Sequence, residues 1–317
     1  MRKLYTAFAI VLPVLLIAGV LSGCAKTEVK KEKVIGFSQG WSGITWLRIM
    51  REEVLEEGKK QGMTVHVSDG DNKGEKQLAD IEDFINSKVD VLIISTYQAQ
   101  AIASGVQRAL KAGIPVIVIS SDIPGAVPTV HLGSDSVVTG RMAGEYLKKV
   151  LNGKGKIIEI EGQPGSVVNT GRRVGFEEVL KDNPGLKRVA YLTGYYDKTK
   201  AVTVMEDQIQ VTPDIQAVYA HNDEMAQGAI LVLRKRGYKF YPQDPKGVIV
   251  IGCDGLEQPV LQSIKAGEQS ASLRYLPLGH EAVQTAVAIL AGKPVEKDIL
   301  KPTPLITREN VDEYLAK

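Results

Sequence analysis

Val89-Asp90-Val91-Leu92-Ile93-Ile94 offers almost no polar face to water, and Val248-Ile249-Val250-Ile251 offers none. A strand apolar on both sides must be covered on both sides, which is the condition of a central strand in a parallel sheet flanked by helices. The covering helix is legible just upstream. Leu78, Ile81, Ile85 and, before the strand, Val89 keep a helical spacing, while Glu75, Lys76, Asp80, Glu82 and Asp83 fall on the opposite face.

Outward from these two stretches the same alternation recurs. Strands are predicted at Val34 to Gln39, Thr64 to Ser68, Val89 to Thr96, Ile114 to Ser120, Lys156 to Glu161, Arg188 to Thr193, Ile215 to Ala220, Val248 to Cys253 and Ser270 to Arg274, with helical segments between them. The strand-helix layout from Val34 to about Ser120 repeats from Lys156 to about Asp254, so each half predicts one doubly wound α/β lobe. Thr129 to Asp135 reads as an extra strand, and a helix from about Val137 to Leu151 suits a crossover between lobes. Ser270 to Pro277 and a last strand near Leu305 supply two further crossings, hence a three-strand hinge.

The ends of the chain carry a different signal. Arg2 and Lys3 precede an apolar run from Ala7 to Val20, shorter than the roughly 18 residues a membrane span needs and followed by Leu21-Ser22-Gly23-Cys24. That tetrapeptide resembles the lipobox of bacterial lipoproteins, which implies a signal peptide over 1–23 and diacylglyceryl transfer to the Cys24 thiol. Residues 24–33, lysine-rich and aperiodic, read as a tether. The expected location is then extracytoplasmic, with the membrane contacted through the lipid on Cys24.

Removing Arg2 and Lys3 with the signal from the 39 basic residues leaves 37 against 37 acidic ones. A neutral mature chain gives no reason to expect a nucleic-acid partner. Only Cys253 accompanies Cys24, so no disulfide is expected and stability must come from the cores. Roughly 290 mature residues exceed what one core organises, and two lobes are expected on size alone.

In open parallel sheets ligands sit beyond the carboxyl ends of the strands. Those positions hold Ser38 and Gln39, Ser95, Ser120 to Asp122, Ser134 and Asp135, Gly162 to Ser166, Tyr195 and Tyr196, Asn222 and Asp223, and Asp254. Nearly all can hydrogen-bond, and forked carboxylates, amides and guanidinium groups match the paired hydroxyls of a sugar. Serine, aspartate and asparagine at these places also serve as helix caps. Trp41 and Trp46 follow the first strand, where an indole face can lie against the C–H face of a sugar ring.

Catalytic chemistry is not expected. Phosphate-binding, nucleophile-elbow and zinc-helix patterns are absent, Gly36, Gly40 and Gly43 do not form a dinucleotide fingerprint, and His66, His131, His221 and His280 lack metal-ligand spacing. No cofactor or metal is predicted. Cys253 with His221 is the one pairing that could make a thiol and base.

Ala220-His221-Asn222-Asp223-Glu224-Met225-Ala226-Gln227-Gly228-Ala229 and Ile251-Gly252-Cys253-Asp254-Gly255 resemble the ribose-binding protein family of periplasmic sugar-binding proteins, galactofuranose-binding members included. Gly133-Ser134-Asp135, Arg172 before Val174-Gly175-Phe176, and Tyr196-Asp197-Lys198 before Lys200 follow the family's order. The resemblance implies the type I periplasmic binding protein fold, with an N-terminal lobe of 34–134 plus 276–302 and a C-terminal lobe of 135–275 plus 303–317. It implies a monomeric binding component that hands a sugar to an ABC permease, or alternatively presents its closed form to a chemoreceptor or sensor kinase. Stacking would come from Trp46 and Tyr196, and polar contacts from Ser38, Ser95, Ser134, Arg172, Asn222 and Asp254, with Tyr275 at the hinge and Asp135 capping the inter-lobe helix. Where the family carries an Asp-Arg pair this chain reads Ser120-Ser121-Asp122, and Asp122 is expected to stand in. That change, with Trp41, Arg274 and Tyr275, argues against plain ribose and leaves other pentoses, hexoses and polyols open.

Overall fold

The computed structural model describes Met1 and residues 32–316. The predicted signal peptide beyond Met1, the predicted lipidation site Cys24 and most of the predicted tether lie outside the described residues. From Glu32 onward the chain forms one compact unit containing two six-stranded sheets.

The first sheet is built from β1 (Val34–Gln39), β2 (Thr64–Asp69), β3 (Val91–Ser95), β4 (Val116–Ile119) and β5 (Val130–Gly133), interleaved with α1 (Thr45–Lys60), α2 (Gly74–Asn86) and α3 (Ala99–Lys111). After α4 (Ser136–Val150), the second sheet takes β6 (Gly155–Glu161), β7 (Leu186–Thr193), β8 (Ala217–Ala220), β9 (Ile249–Asp254) and β10 (Ala271–Arg274), with α5 (Val167–Asp182), α6 (Lys198–Val211), α7 (Asp223–Lys235) and α8 (Gln258–Ala266) between them. α9 (Gly279–Leu290), β11 (Asp298–Leu300) and β12 (Leu305–Thr307) complete the chain. The strand orders are β11-β5-β4-β3-β1-β2 and β12-β10-β9-β8-β6-β7. Every pairing is parallel except that of β12 with β10. Both sheets thus carry the same doubly wound order, as the repeated layout predicts.

Burial follows the strand reading. All of β3, β4 and β8 is buried, each large aliphatic side chain there contributing about 1.5–3 kcal/mol. The edge strand β2 is only half-buried, as a strand with one neighbour should be. On α2 the buried stripe is Gln77, Ile81 and Phe84, with Leu78 and Ile85 flanking it. Gln77 is polar on that inner face because its amide donates to the Ser95 carbonyl at 3.0 Å and to Ser38 Oγ at 3.3 Å, tying two strand ends together.

The chain passes between the sheets at β5 to β6, at β10 to β11 and at β11 to β12. The strand β11 was not expected: three residues at a sheet edge, with Asp298 and Leu300 exposed, make no apolar run. Asp135 caps α4 by accepting from the Val137 and Val138 amides, which starts the first crossing helix in a defined direction.

α4 and α5 cross at backbone contact. A Cβ placed on Gly140 would lie 1.9 Å from the Arg172 carbonyl oxygen, and one on Gly175 would lie 1.9 Å from that of Val137. Neither obstacle is a flexible side chain, so Gly175→Ala should cost about 3 kcal/mol, seen as a lower urea midpoint at unchanged slope. An unaltered midpoint would contradict the crossing.

Candidate functional site

A cavity opens between the carboxyl ends of the two sheets. The first sheet's side supplies Trp46, Ser95, Thr96, Tyr97, Ser120 and Ser121, and the second's supplies Arg172, Tyr196, Asn222, Asp254 and Tyr275. Ile44, Ile119 and Val168 add apolar walls.

Local backbone geometry aims several of these residues. Ser120, Tyr195, Tyr196 and Asp254 adopt φ of 56°, 55°, 61° and 130°, a region that costs non-glycine residues about 1–3 kcal/mol and persists where the surroundings impose it. At Tyr196 the imposing group is Asn222. Its Oδ1 caps α7 by accepting from the Met225 amide at 3.0 Å, and its Nδ2 donates to the Tyr196 carbonyl at 3.1 Å. Asn222 is therefore both a helix cap and part of the lining. At Asp254 the imposing group is the buried Asp223 carboxylate, which accepts from the Gly255 amide at 2.7 Å, from Gln269 Nε2 at 2.7 Å and from Ser272 Oγ at 2.8 Å.

Arg172 is the cationic centre. It is 2 % exposed, its Nη1 donates to the His221 carbonyl, and its guanidinium carbon lies 4.6 Å above the Tyr275 ring. Its Nε has no protein partner, nor has Ser120 Oγ on the facing side. Burial, with Asp223 nearby, holds the Asp254 carboxyl well above the usual carboxylate range, against the pull of Arg172. Trp46 donates Nε1–H to the Tyr275 carbonyl at 2.8 Å, with the two rings 5.8 Å apart and tilted by 46°. Burial pushes the Tyr196 phenol up to about 12.

Four predicted residues fall outside the lining. Ser38 is fully buried within β1, and its hydroxyl meets Gln77 of α2; strand alternation turns it toward the helical layer. Trp41 is half-buried and lies over Gly43, where a Cβ would come 2.0 Å from the indole. Asp122 is exposed, because Ser121 turns inward to donate to the Thr96 carbonyl at 2.7 Å and the next residue points out. Asp122 is not among the residues that line the cavity. Ser134 is buried behind the cavity, where its carbonyl accepts from the Tyr275 hydroxyl at 3.5 Å.

Sequence reasoning did not single out Thr96 or Tyr97, and placed Ser121 at a strand end without assigning it to the ligand. They follow β3 and β4 directly, so their position one or two residues beyond Ser95 and Ser120 was the available signal. The thiol-base pairing does not form: the His221 ring is engaged by Glu159 at 2.9 Å and Asn169 at 2.7 Å, and burial pushes the Cys253 thiol far above its ordinary range. A thiol so held is no nucleophile. Among the described residues no cluster of His, Cys, Asp and Glu is arranged to hold a metal, and no helix is long and apolar enough to cross a membrane.

The family profile of the periplasmic binding protein domain matches residues 35–294. The ribose import binding protein RbsB of Bacillus subtilis (strain 168) is 37 % identical over 283 residues, 88 % of this chain and 89 % of that one. The galactofuranose-binding protein YtfQ of Escherichia coli (strain K12) is 27 % identical, covering 83 % of each. Among solved structures, an ABC transporter solute-binding protein from Bacillus halodurans C-125 with bound myo-inositol superposes with a TM-score of 0.82 at 31 % identity, over 89 % of this chain and 97 % of that one. The fructose-binding periplasmic domain of a hybrid two-component system also reaches 0.82, at 29 % identity over 89 % and 93 %.

The raised Asp254 pKa makes the ionised carboxylate a cost to the folded state at any pH above the ordinary 3.8 of the unfolded chain, and the cost disappears below that value. Asp254→Asn should accordingly raise the melting temperature at pH 7, by about 2–4 °C for each kcal/mol relieved. The gain should shrink as the buffer approaches pH 4. A variant less stable than the parent at pH 7 would show that Asp254 is held by favourable contacts instead.

Proposed function

The chain belongs to the periplasmic binding protein domain family, and from that premise we propose that it is the extracytoplasmic solute-binding component of a bacterial ABC importer. Its solute is a monosaccharide or related polyol taken between the two lobes. It is a binding protein and not an enzyme. The observation that carries this reading is the pair of buried donors without a protein partner, Arg172 Nε and Ser120 Oγ, on residues that line one cavity from opposite sheets. Buried donors without partners are rare and costly, and a hydroxylated solute supplies acceptors to both at once.

Micromolar binding of about a dozen heavy atoms requires roughly 8 kcal/mol. Charge-assisted hydrogen bonds contribute about 1.5–3 kcal/mol each, so Arg172 and Asp254 reach that value only with help from Ser95, Ser120, Asn222 and the apolar walls. Closure brings both sets of groups to the ligand.

The lobes also hold each other directly. The Thr45 amide at the uncapped start of α1 donates to Glu224 Oε1 of α7 at 2.8 Å. A carboxylate at a helix N-terminus is worth about 1 kcal/mol. This contact joins elements of different sheets, so it forms only when the lobes are together. The closed form is what a permease would engage. A sensory partner is the second reading, favoured by the likeness to the periplasmic domain of a two-component system.

On the same reading the lobes comprise 34–134 with 276–302 and 135–275 with 303–317, the protein is monomeric, residues 1–23 are removed, and Cys24 carries the lipid at the head of a tether of residues 24–33. Arg2, Lys3, the apolar run and Leu21-Ser22-Gly23-Cys24 support the anchor.

A thermal-shift screen against pentoses, hexoses and polyols tests the function: a ligand at 100 times its dissociation constant adds about 2.7 kcal/mol to the folded state. Arg172→Ala should abolish the shift in a chain that still melts cooperatively, and retained binding would mean the solute lies elsewhere. For the anchor, Cys24→Ser should move the expressed protein from the membrane fraction to the soluble one. Unchanged partition, with no lipid mass on Cys24 in the parent, would exclude it.

A further inference from the structure

Tyr196 is packed by residues of both lobes. A Cβ built on Gly162 would lie 2.0, 2.1 and 2.5 Å from Cζ, Cε1 and Cε2 of the Tyr196 ring. Near-equal distances to three adjacent ring carbons put the glycine over the face of the ring, not at its edge. Tyr97 supplies the second stacking partner, its centroid 5.6 Å away and its plane inclined by 26°. It comes from the end of β3, so the stack joins the two lobes across the cavity.

The space that remains is about 30 Å³, enough for about two water molecules at roughly 10–15 Å³ each and too little for a sugar ring. Something must yield for a monosaccharide to enter, and the side chains differ in how firmly they are held. Trp46 is 8 % exposed, Tyr196 3 % and Tyr275 2 %. Trp46 is hydrogen-bonded through its indole, Tyr196 is wedged on Gly162, and Arg172 is bonded to the His221 carbonyl. Tyr97 is partly exposed and sits in the short connection between β3 and α3, ahead of the first turn of the helix. It is the ring with somewhere to go.

We infer that Tyr97 is a specificity-determining residue: its ring occupies the stacking position on Tyr196, and a ligand ring reaches that position only by displacing it. This rests on the reading of the cavity as a sugar site. The ligand exchanges ring–ring contact for ring–sugar contact, so every ligand bears the cost of breaking the stack. The cost falls hardest on six-membered rings, which need the most space. Compact solutes that stay on the side of Trp46, Arg172 and Asp254 are favoured.

The test is calorimetric titration of the mature chain, Tyr97→Ala and Tyr97→Phe with pentoses, hexoses and myo-inositol. Tyr97→Ala should bind about two- to ten-fold more tightly than the parent, the range an aromatic pair supports, with the larger gain for six-membered rings. Tyr97→Phe keeps the ring and should match the parent. Weaker binding by Tyr97→Ala, or equal gains for five- and six-membered rings, overturns the inference while leaving the sugar site in place. If none of the three chains binds any of these solutes although all melt cooperatively, the sugar reading fails and takes this inference with it.

Discussion

A guanidinium group cannot be deprotonated to escape burial, and Arg172 is almost completely buried. Much of the second lobe is arranged around that fact. The helix carrying it is pressed against α4 at two glycines, one of them against the carbonyl of Arg172 itself. One arm of the fork bonds to the His221 carbonyl, the flat face lies on Tyr275, and the Asp254 carboxyl stands nearby. Nε is left without a protein partner, on a residue that lines the cavity between the sheets.

The layer behind the cavity is as organised as its lining. His221 is held between Glu159 and Asn169, and Asn169 in turn donates to Glu161 at 2.6 Å and accepts from the Gly162 amide at 2.8 Å. Gly162 is the residue on which Tyr196 rests. A chain of buried hydrogen bonds therefore links the backbone that holds Arg172 to the backbone that holds Tyr196, and both are presented to a ligand as one rigid surface. The left-handed turns at Ser120, Tyr196 and Asp254 are the local cost of that presentation.

Legibility differed by kind of residue. Arg172, Asn222 and Asp254 could be named because their motifs stand at strand ends in the family's order, and all three reach the cavity. Asp122 could not be judged, since whether a residue two places past a strand faces in or out depends on the turn, here set by Ser121 bonding to Thr96. Ser38 stands outside the lining for a simpler reason: alternation along β1 turns its hydroxyl toward Gln77 of α2. Tyr97 carried no motif, and its importance comes from a partner 99 positions away in the other lobe.

Composition and periodicity alone determined the two α/β lobes, the central strands, the helical faces and the absence of catalytic motifs. These are short-range properties: burial on one or two faces leaves its period in the sequence wherever it occurs. The tertiary structure decided which strand-end residues share a cavity, that Asn222 caps a helix and lines the site at once, that Glu224 closes the start of α1, and that Tyr196 packs against both Gly162 and Tyr97. Those depend on contacts between segments far apart in the chain, and distance of that kind leaves no periodic trace.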